Sequence, residues 1–185
     1  MVRKLGLVLQ GLAALSGFIV GAASAAETQN TLYLELAGGR VTIELLSDIA
    51  PRHVERIKRL TREKFYDGLT WHRVIGGFMA QTGDPTGTGT GGSPYEAVPA
   101  EFSSYPYKRG KVGMARTTDP NSANSQFFIC YTDKGCSFLT GLYTVWGQVV
   151  DGMEHVDAIA KGEPPANPDK IIAMTLAADP STSAK

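Results

Sequence analysis

Apolar and polar residues alternate along Thr31-Leu-Tyr-Leu-Glu-Leu36 and again along Val41-Thr-Ile-Glu-Leu45, with Gly38-Gly39 between them. A period of two on both sides of a glycine turn predicts a β-hairpin. After Asp48 and Pro51 the period changes. Val54, Ile57 and Leu60 recur at helical spacing, while Arg52, Arg56, Lys58, Arg59 and Arg62 occupy the other side. This predicts a helix with a solvated basic face in preference to an anion-binding one. Further strands are expected over Thr70–Ile75, Met79–Gly83, Lys111–Arg116, Gln126–Tyr131, Val145–Val150 and Ile171–Leu176, with a second helix over Met153–Lys161. A polar tail, Asp179–Lys185, is expected to fray. Many sequential strands with two helices set apart predict a mainly β fold: a closed antiparallel barrel whose ends the helices cover.

The first 26 residues follow a different pattern. Arg3 and Lys4 precede an apolar stretch, Leu5–Val20, broken only by Gln10 and small residues, and Gly21-Ala-Ala-Ser-Ala-Ala26 is uniformly small. These are the parts of a secretory signal peptide, with cleavage after Ala25 or Ala26. An uncleaved anchor is the alternative, since Leu5–Ala26 is long enough to span a bilayer. Export to the periplasm with removal of residues 1–26 is the expectation, leaving one domain over residues 27–178.

The 185 residues carry 18 basic and 18 acidic side chains, and 43% are hydrophobic. Without Arg3 and Lys4 the balance is 16 basic to 18 acidic, a charge of −2. No global field draws the chain to nucleic acid. Cys130 and Cys136 lie six apart, a spacing that permits a disulfide without requiring one; two free thiols are expected.

Several familiar chemistries are ruled out. Gly87-Thr-Gly-Thr-Gly-Gly92 satisfies the glycine spacing of a dinucleotide site, but Pro94 and Pro99 follow where a helix should open. A glycine-rich surface loop is expected there. His53, His72 and His155 lack the close spacing of metal ligands, and there is no G-x-S-x-G elbow. His72, beside Trp71, is expected to be a hydrogen-bonded structural histidine.

What remains is Trp71-His-Arg-Val-Ile-Gly-Gly-Phe-Met-Ala-Gln-Thr-Gly-Asp84, which sets Arg73 among apolar residues ahead of Phe78, Met79 and Gln81. Strand alternation puts Met79 and Gln81 on one face, and Gln126 and Phe128 likewise, with Phe127 and Ile129 turned to the core. Together with Val112-Gly-Met-Ala-Arg116 and Asn124-Ser-Gln-Phe-Phe-Ile129, this segment resembles the cyclophilins, the peptidyl-prolyl cis/trans isomerases, and most of all their bacterial periplasmic members. The similarity runs from about Thr31 to Leu176.

The resemblance implies an eight-stranded antiparallel barrel capped by two helices, with the site on its outer surface and neither metal nor cofactor. Carried over by position, the catalytic arginine is Arg73 and the proline pocket is Phe78, Met79, Phe128 and Leu139. Gln81 and Gln126 are the polar substrate contacts, and Ala115 meets the peptide through its backbone. Arg116, Phe138 and Tyr143 complete the substrate-binding set but depart from the best-known eukaryotic members, which have asparagine, tryptophan and histidine there. The implied partners are proline-containing polypeptides, with weak cyclosporin binding because Phe138 lacks an indole N–H. A monomer is expected. Three other readings of the residues stand beside this one: a surface ion pair for Arg73, a proline-peptide-binding chaperone without turnover, and a lipocalin-like barrel with an open lumen.

Overall fold

Eight strands pair into one antiparallel sheet in the computed structural model, which describes residues 28–179. They are β1 (Thr31–Leu36), β2 (Gly39–Leu45), β3 (Arg73–Ile75), β4 (Met79–Thr82), β5 (Lys111–Met114), β6 (Phe127–Cys130), β7 (Val145–Asp151) and β8 (Ala173–Leu176). The order across the sheet is β3-β4-β6-β5-β7-β2-β1-β8. The signal peptide expected over residues 1–26 lies outside the described residues, as do residues 180–185 of the tail.

The sheet is an open half-barrel, which corrects the closed barrel expected from the sequence. β3 and β8 are its two edges, and only isolated bridges, Thr70 to Lys170 and Val74 to Gly162, span the gap between them. The cause is local. β3 has only three residues, and the chain facing it carries Pro164, Pro165 and Pro168, which have no N–H to offer a ladder.

The inner face of the sheet is filled. Leu32, Leu34, Ile43, Val112 and Ile129 are fully buried, and Phe127 sits at the centre with Tyr66, Trp71 and Trp146 edge-on to its ring. Their ring centroids lie 5.4, 6.1 and 5.5 Å from that of Phe127. Such edge-to-face packing leaves no lumen for a ligand, which removes the lipocalin-like reading.

Helix α1 (Pro51–Arg62) lays Val54, Ile57 and Leu60 on this core. Pro51 suits the first turn, where its missing N–H has no helical partner to lose. Ala50 offers no side-chain cap, so the cap comes from a distant loop. The Glu101 carboxylate accepts from the N–H groups of Arg52 at 3.1 Å and His53 at 3.0 Å. Much of the basic face is spent within the molecule: Arg56 on the carbonyls of Asn124 and Glu96, Arg59 on Glu63, Arg62 on Asp179. Asp179, expected to begin the frayed tail, is thereby tied down.

Two more short helices follow, α2 (Asp133–Cys136) and α3 (Met153–Asp157), with a 3-10 turn at Ser137–Leu139. α3 ends four residues before the expected Lys161. The Lys161 ammonium takes the carbonyls of Asp157 and Ile159, and Asp169 takes the Ala160 N–H, which draws the chain off the helical path. α2 was not expected. Thr132 starts it, its hydroxyl accepting from the Gly135 N–H at 2.9 Å while donating to the Gly77 carbonyl at 2.7 Å. That tight reversal brings Cys136 back to Cys130, with Cα atoms 6.1 Å apart and the two sulfurs bonded. The expectation of free thiols is therefore corrected.

Candidate active site

Strand register assembles the site. Arg73 on β3 pairs with Gln81 on β4, Gln81 pairs with Phe128 on β6, and Phe128 pairs with Gly113 on β5. Directly opposed residues of antiparallel strands point to one face, so the row brings Arg73, Gln81 and Phe128 to the outer surface. Two residues along, Met79 joins the same face. Gly113 contributes no side chain to the row. A β-carbon there would overlap the Phe128 ring and the Tyr107 hydroxyl, so glycine lets Phe128 lie against the sheet, stacked on Tyr107.

The far wall comes from α2 and the 3-10 turn. Leu139 is buried, while Phe138 is 61% exposed and packs on Phe78 with ring centroids 5.6 Å apart. Tyr143 meets Phe128 edge-on at 5.9 Å. Between these walls lies a cleft of about 780 Å³ lined by Arg73, Phe78, Met79, Gln81, Ala115, Arg116, Phe128, Phe138, Leu139 and Tyr143. Ten of the eleven residues singled out from the sequence converge there. The eleventh, Gln126, lines an adjoining polar recess of about 490 Å³, which Gln81, Ala115 and Arg116 share.

The polar groups are partly committed. Gln81 Nε2 donates to Gln126 Oε1 at 2.9 Å, and Gln126 Nε2 donates to the carbonyls of Gly89 and Gly91. Gln126 thus braces the glycine-rich loop. The Ala115 N–H is held by the Gln126 carbonyl at 2.9 Å, so backbone contact by Ala115 to a peptide falls to its carbonyl.

The glycine loop is a surface loop, as expected, and Asp84 organises it. The carboxylate accepts from the N–H groups of Thr86, Thr88 and Gly89 and from the Thr86 hydroxyl. Burial opposes ionisation of Asp84, but these donors outweigh it and bring the carboxyl down to about 2. Gly87 and Gly89 adopt positive φ angles, which lets the loop wrap the carboxylate.

Six residues lining the cleft were missed in the sequence: His72, Gly87, Thr88, Gly89, Glu163 and Pro164. Glu163 and Pro164 line it from the β7–β8 connection, and Arg73 Nε donates to Glu163 Oε2 at 2.7 Å. No periodic signal marks Gly162-Glu-Pro-Pro165 as anything beyond a turn. His72 also lines the cleft; neither ring nitrogen meets a partner within strict distance and angle limits, although the Gln126 side chain and the Thr70 backbone lie close enough to favour its charged form. Burial holds its imidazole below the ordinary value, so it stands neutral as a wall.

Comparison with known proteins agrees with this geometry. Residues 31–176 match the family model described as cyclophilin type peptidyl-prolyl cis-trans isomerase. A probable peptidyl-prolyl cis-trans isomerase of Brucella suis is 51% identical, across 94% of this chain and 95% of its own length. Peptidyl-prolyl cis-trans isomerase B of Bacillus subtilis is 38% identical over 68% of this chain and 87% of its own. Among solved structures, a cyclophilin from Hirschia baltica superposes with a TM-score of 0.74 at 28% identity, covering 89% of this chain and 81% of that one. A cyclophilin type isomerase of Cryptosporidium parvum, crystallised in the presence of the dipeptide Ala-Pro, superposes at 0.72 with 28% identity, covering 79% and 98%. The chain belongs to the cyclophilin-type peptidyl-prolyl cis-trans isomerase family.

Proposed function

We propose that Arg73 is the catalytic group of this isomerase and that the enzyme acts on X-Pro bonds of exported polypeptides as they fold. The observation that carries the assignment is the register row, which sets a guanidinium at the lip of an apolar cleft. Rotation about an X-Pro bond meets a barrier of about 18–20 kcal/mol, because resonance gives the C–N bond double-bond character. No bond breaks during the rotation, so neither nucleophile nor cofactor is needed.

Phe78, Met79, Phe128 and Leu139 hold the proline ring on an apolar floor. As the amide twists, resonance is lost and the proline nitrogen pyramidalises, gaining a lone pair that can accept a hydrogen bond. Arg73 is tied through Nε alone, and Nη1 and Nη2 have no partner among the described residues. They are the donors available to that lone pair. A donor fixed in advance and engaged most strongly in the twisted state lowers the barrier by differential binding. Gln81, Gln126 and the Ala115 carbonyl fix the flanking backbone, while Arg116, Phe138 and Tyr143 border the peptide on the far side.

Two observations support an exported enzyme working in the periplasm: the signal-like segment over residues 1–26, and the Cys130–Cys136 bridge, since disulfides persist in oxidising compartments. The decisive experiment is proline-peptide exchange by NMR with wild-type protein and Arg73→Ala. The variant should fold normally and lose catalysis by about a hundredfold or more, within the range of a lost transition-state donor. Near wild-type turnover in a folded Arg73→Ala protein would instead favour a peptide-holding chaperone.

A further inference from the structure

Arg116 carries a charge that no carboxylate among the described residues neutralises at ion-pair distance. The other cation of the cleft, Arg73, is paired with Glu163. Arg116 donates only to backbone: Nη2 to the Leu142 carbonyl at 2.9 Å, Nη1 to the Thr117 carbonyl at 2.8 Å, and Nε weakly to Leu142 at 3.4 Å. A guanidinium has five N–H donors, so each terminal nitrogen keeps one unused. The group lies over the Tyr143 ring at 4.3 Å, with the Phe102 ring 5.9 Å away. Stacking of this kind fixes the plane of the guanidinium and leaves its edge free.

Its place gives the charge a use. Arg116 borders both the apolar cleft and the polar recess beside it, so a peptide running from one to the other passes its edge. The recess has no acidic side chain in its walls, and the single acid of the cleft, Glu163, is engaged by Arg73. A carboxylate brought in by a substrate would meet a preoriented cation with no internal competitor.

We propose that Arg116 selects proline-containing segments bearing an aspartate or glutamate close to the X-Pro bond. The inference rests on the reading that the cleft binds proline peptides. Its test is a set of peptides in which one glutamate is walked through the three positions on either side of the X-Pro bond, each with a glutamine isostere. Exchange NMR then reads kcat/KM for wild type, Arg116→Gln and Arg116→Glu.

At one position at least, glutamate should exceed glutamine by about three- to fivefold at low salt, the size expected of a half-exposed ion pair. The advantage should shrink as salt shortens the screening length. Arg116→Gln should bring the ratio to one, and Arg116→Glu should bring it below one at the same position. Equal turnover of glutamate and glutamine peptides at every position overturns the acidic preference while leaving the isomerase reading intact. A preference that survives both substitutions also overturns it. Turnover of none of the peptides by the wild type overturns both.

Discussion

Arg73 and Glu163 are joined through a single donor, with Nε 2.7 Å from Oε2 and both terminal nitrogens without a partner among the described residues. The surface ion pair considered as an alternative for this arginine is therefore present, and it is compatible with catalysis. Glu163 is brought there by backbone pairing, since Val74 and Gly162 exchange hydrogen bonds of 2.8 and 2.9 Å. Both side chains are about half exposed, so the pair contributes only about 0–1 kcal/mol to stability. Its effect is on orientation. Glu163→Ala should lower kcat by about five- to tenfold, because a misplaced donor loses near-attack geometry. Glu163→Gln keeps an acceptor for Nε and should recover most of the rate. Equal losses in the two variants would show that Glu163 does not position the guanidinium.

Gly113 and Phe128 stand opposite each other in the β5–β6 register, and a β-carbon on Gly113 would occupy the space of the Phe128 ring. Gly113→Ala should therefore push that ring into the proline pocket. Overpacking of this kind costs about 1–3 kcal/mol. KM should rise by more than kcat falls, because the pocket floor is displaced while Arg73 is not. Urea unfolding alongside steady-state kinetics separates the two effects, and an unchanged KM would contradict the packing.

Phe138 stands where the best-known eukaryotic relatives carry tryptophan, with its ring packed on Phe78 and 61% exposed. Phenylalanine retains the apolar wall but offers no N–H to an inhibitor carbonyl. Cyclosporin should bind weakly, and Phe138→Trp should tighten it by about five- to tenfold, the worth of one hydrogen bond. Titration calorimetry decides; nanomolar affinity of the wild type would refute the assignment.

The Cys130–Cys136 bridge joins the end of β6 to the helix that leads directly into Phe138 and Leu139. Closing a loop this short removes about 2 kcal/mol of unfolded-state entropy. A reductant, or the double substitution Cys130→Ala with Cys136→Ala, should lower stability by that amount. It should also raise KM, since one wall of the proline pocket loses its tether. Loss of stability without any change in KM would confine the bridge to a structural role.

Much of this was legible in the sequence. Each of the eight strands overlaps an expected segment, with β2 opening two residues early at Gly39 and β7 closing one residue late at Asp151, and parity alone puts Met79 with Gln81 and turns Phe128 away from the core. What escaped was tertiary. The open edge between β3 and β8 depends on which prolines face a three-residue strand, and the Glu163–Arg73 contact joins residues 90 positions apart. The disulfide depended on Thr132 starting a four-residue helix too short to show a period. His72 follows the same rule: its burial came from the loop that folds over it, with Gly89 beside the ring.

Stability should fall in two stages as pH is lowered. Burial holds the His53 imidazole below its ordinary value, partly opposed by its 2.6 Å contact with Glu101. The unfolded histidine therefore takes up its proton first, near pH 6.5, and from there acidification favours the unfolded state. Glu101 acts in the same direction. Desolvation works against its charge, but His53 and the helix N–H groups prevail and hold the carboxyl below its usual range, so its contribution is lost in acid. Asp84 defines the second stage. Its carboxyl falls from an ordinary 3.8 to about 2 in the fold, so its contribution is complete above the unfolded value and is lost between about pH 4 and pH 2. A depression of that size stabilises the fold by something on the order of 2 kcal/mol. Urea midpoints measured from pH 7 to pH 2 should show both stages. His53→Gln should shrink the first, leaving the part that the likewise buried His72 contributes, and Asp84→Asn should flatten the second while also loosening the loop that Gln126 braces. A wild-type profile that is flat from pH 7 to pH 4 would exclude the His53–Glu101 contribution, and persistence of the lower stage in Asp84→Asn would assign it to another carboxylate.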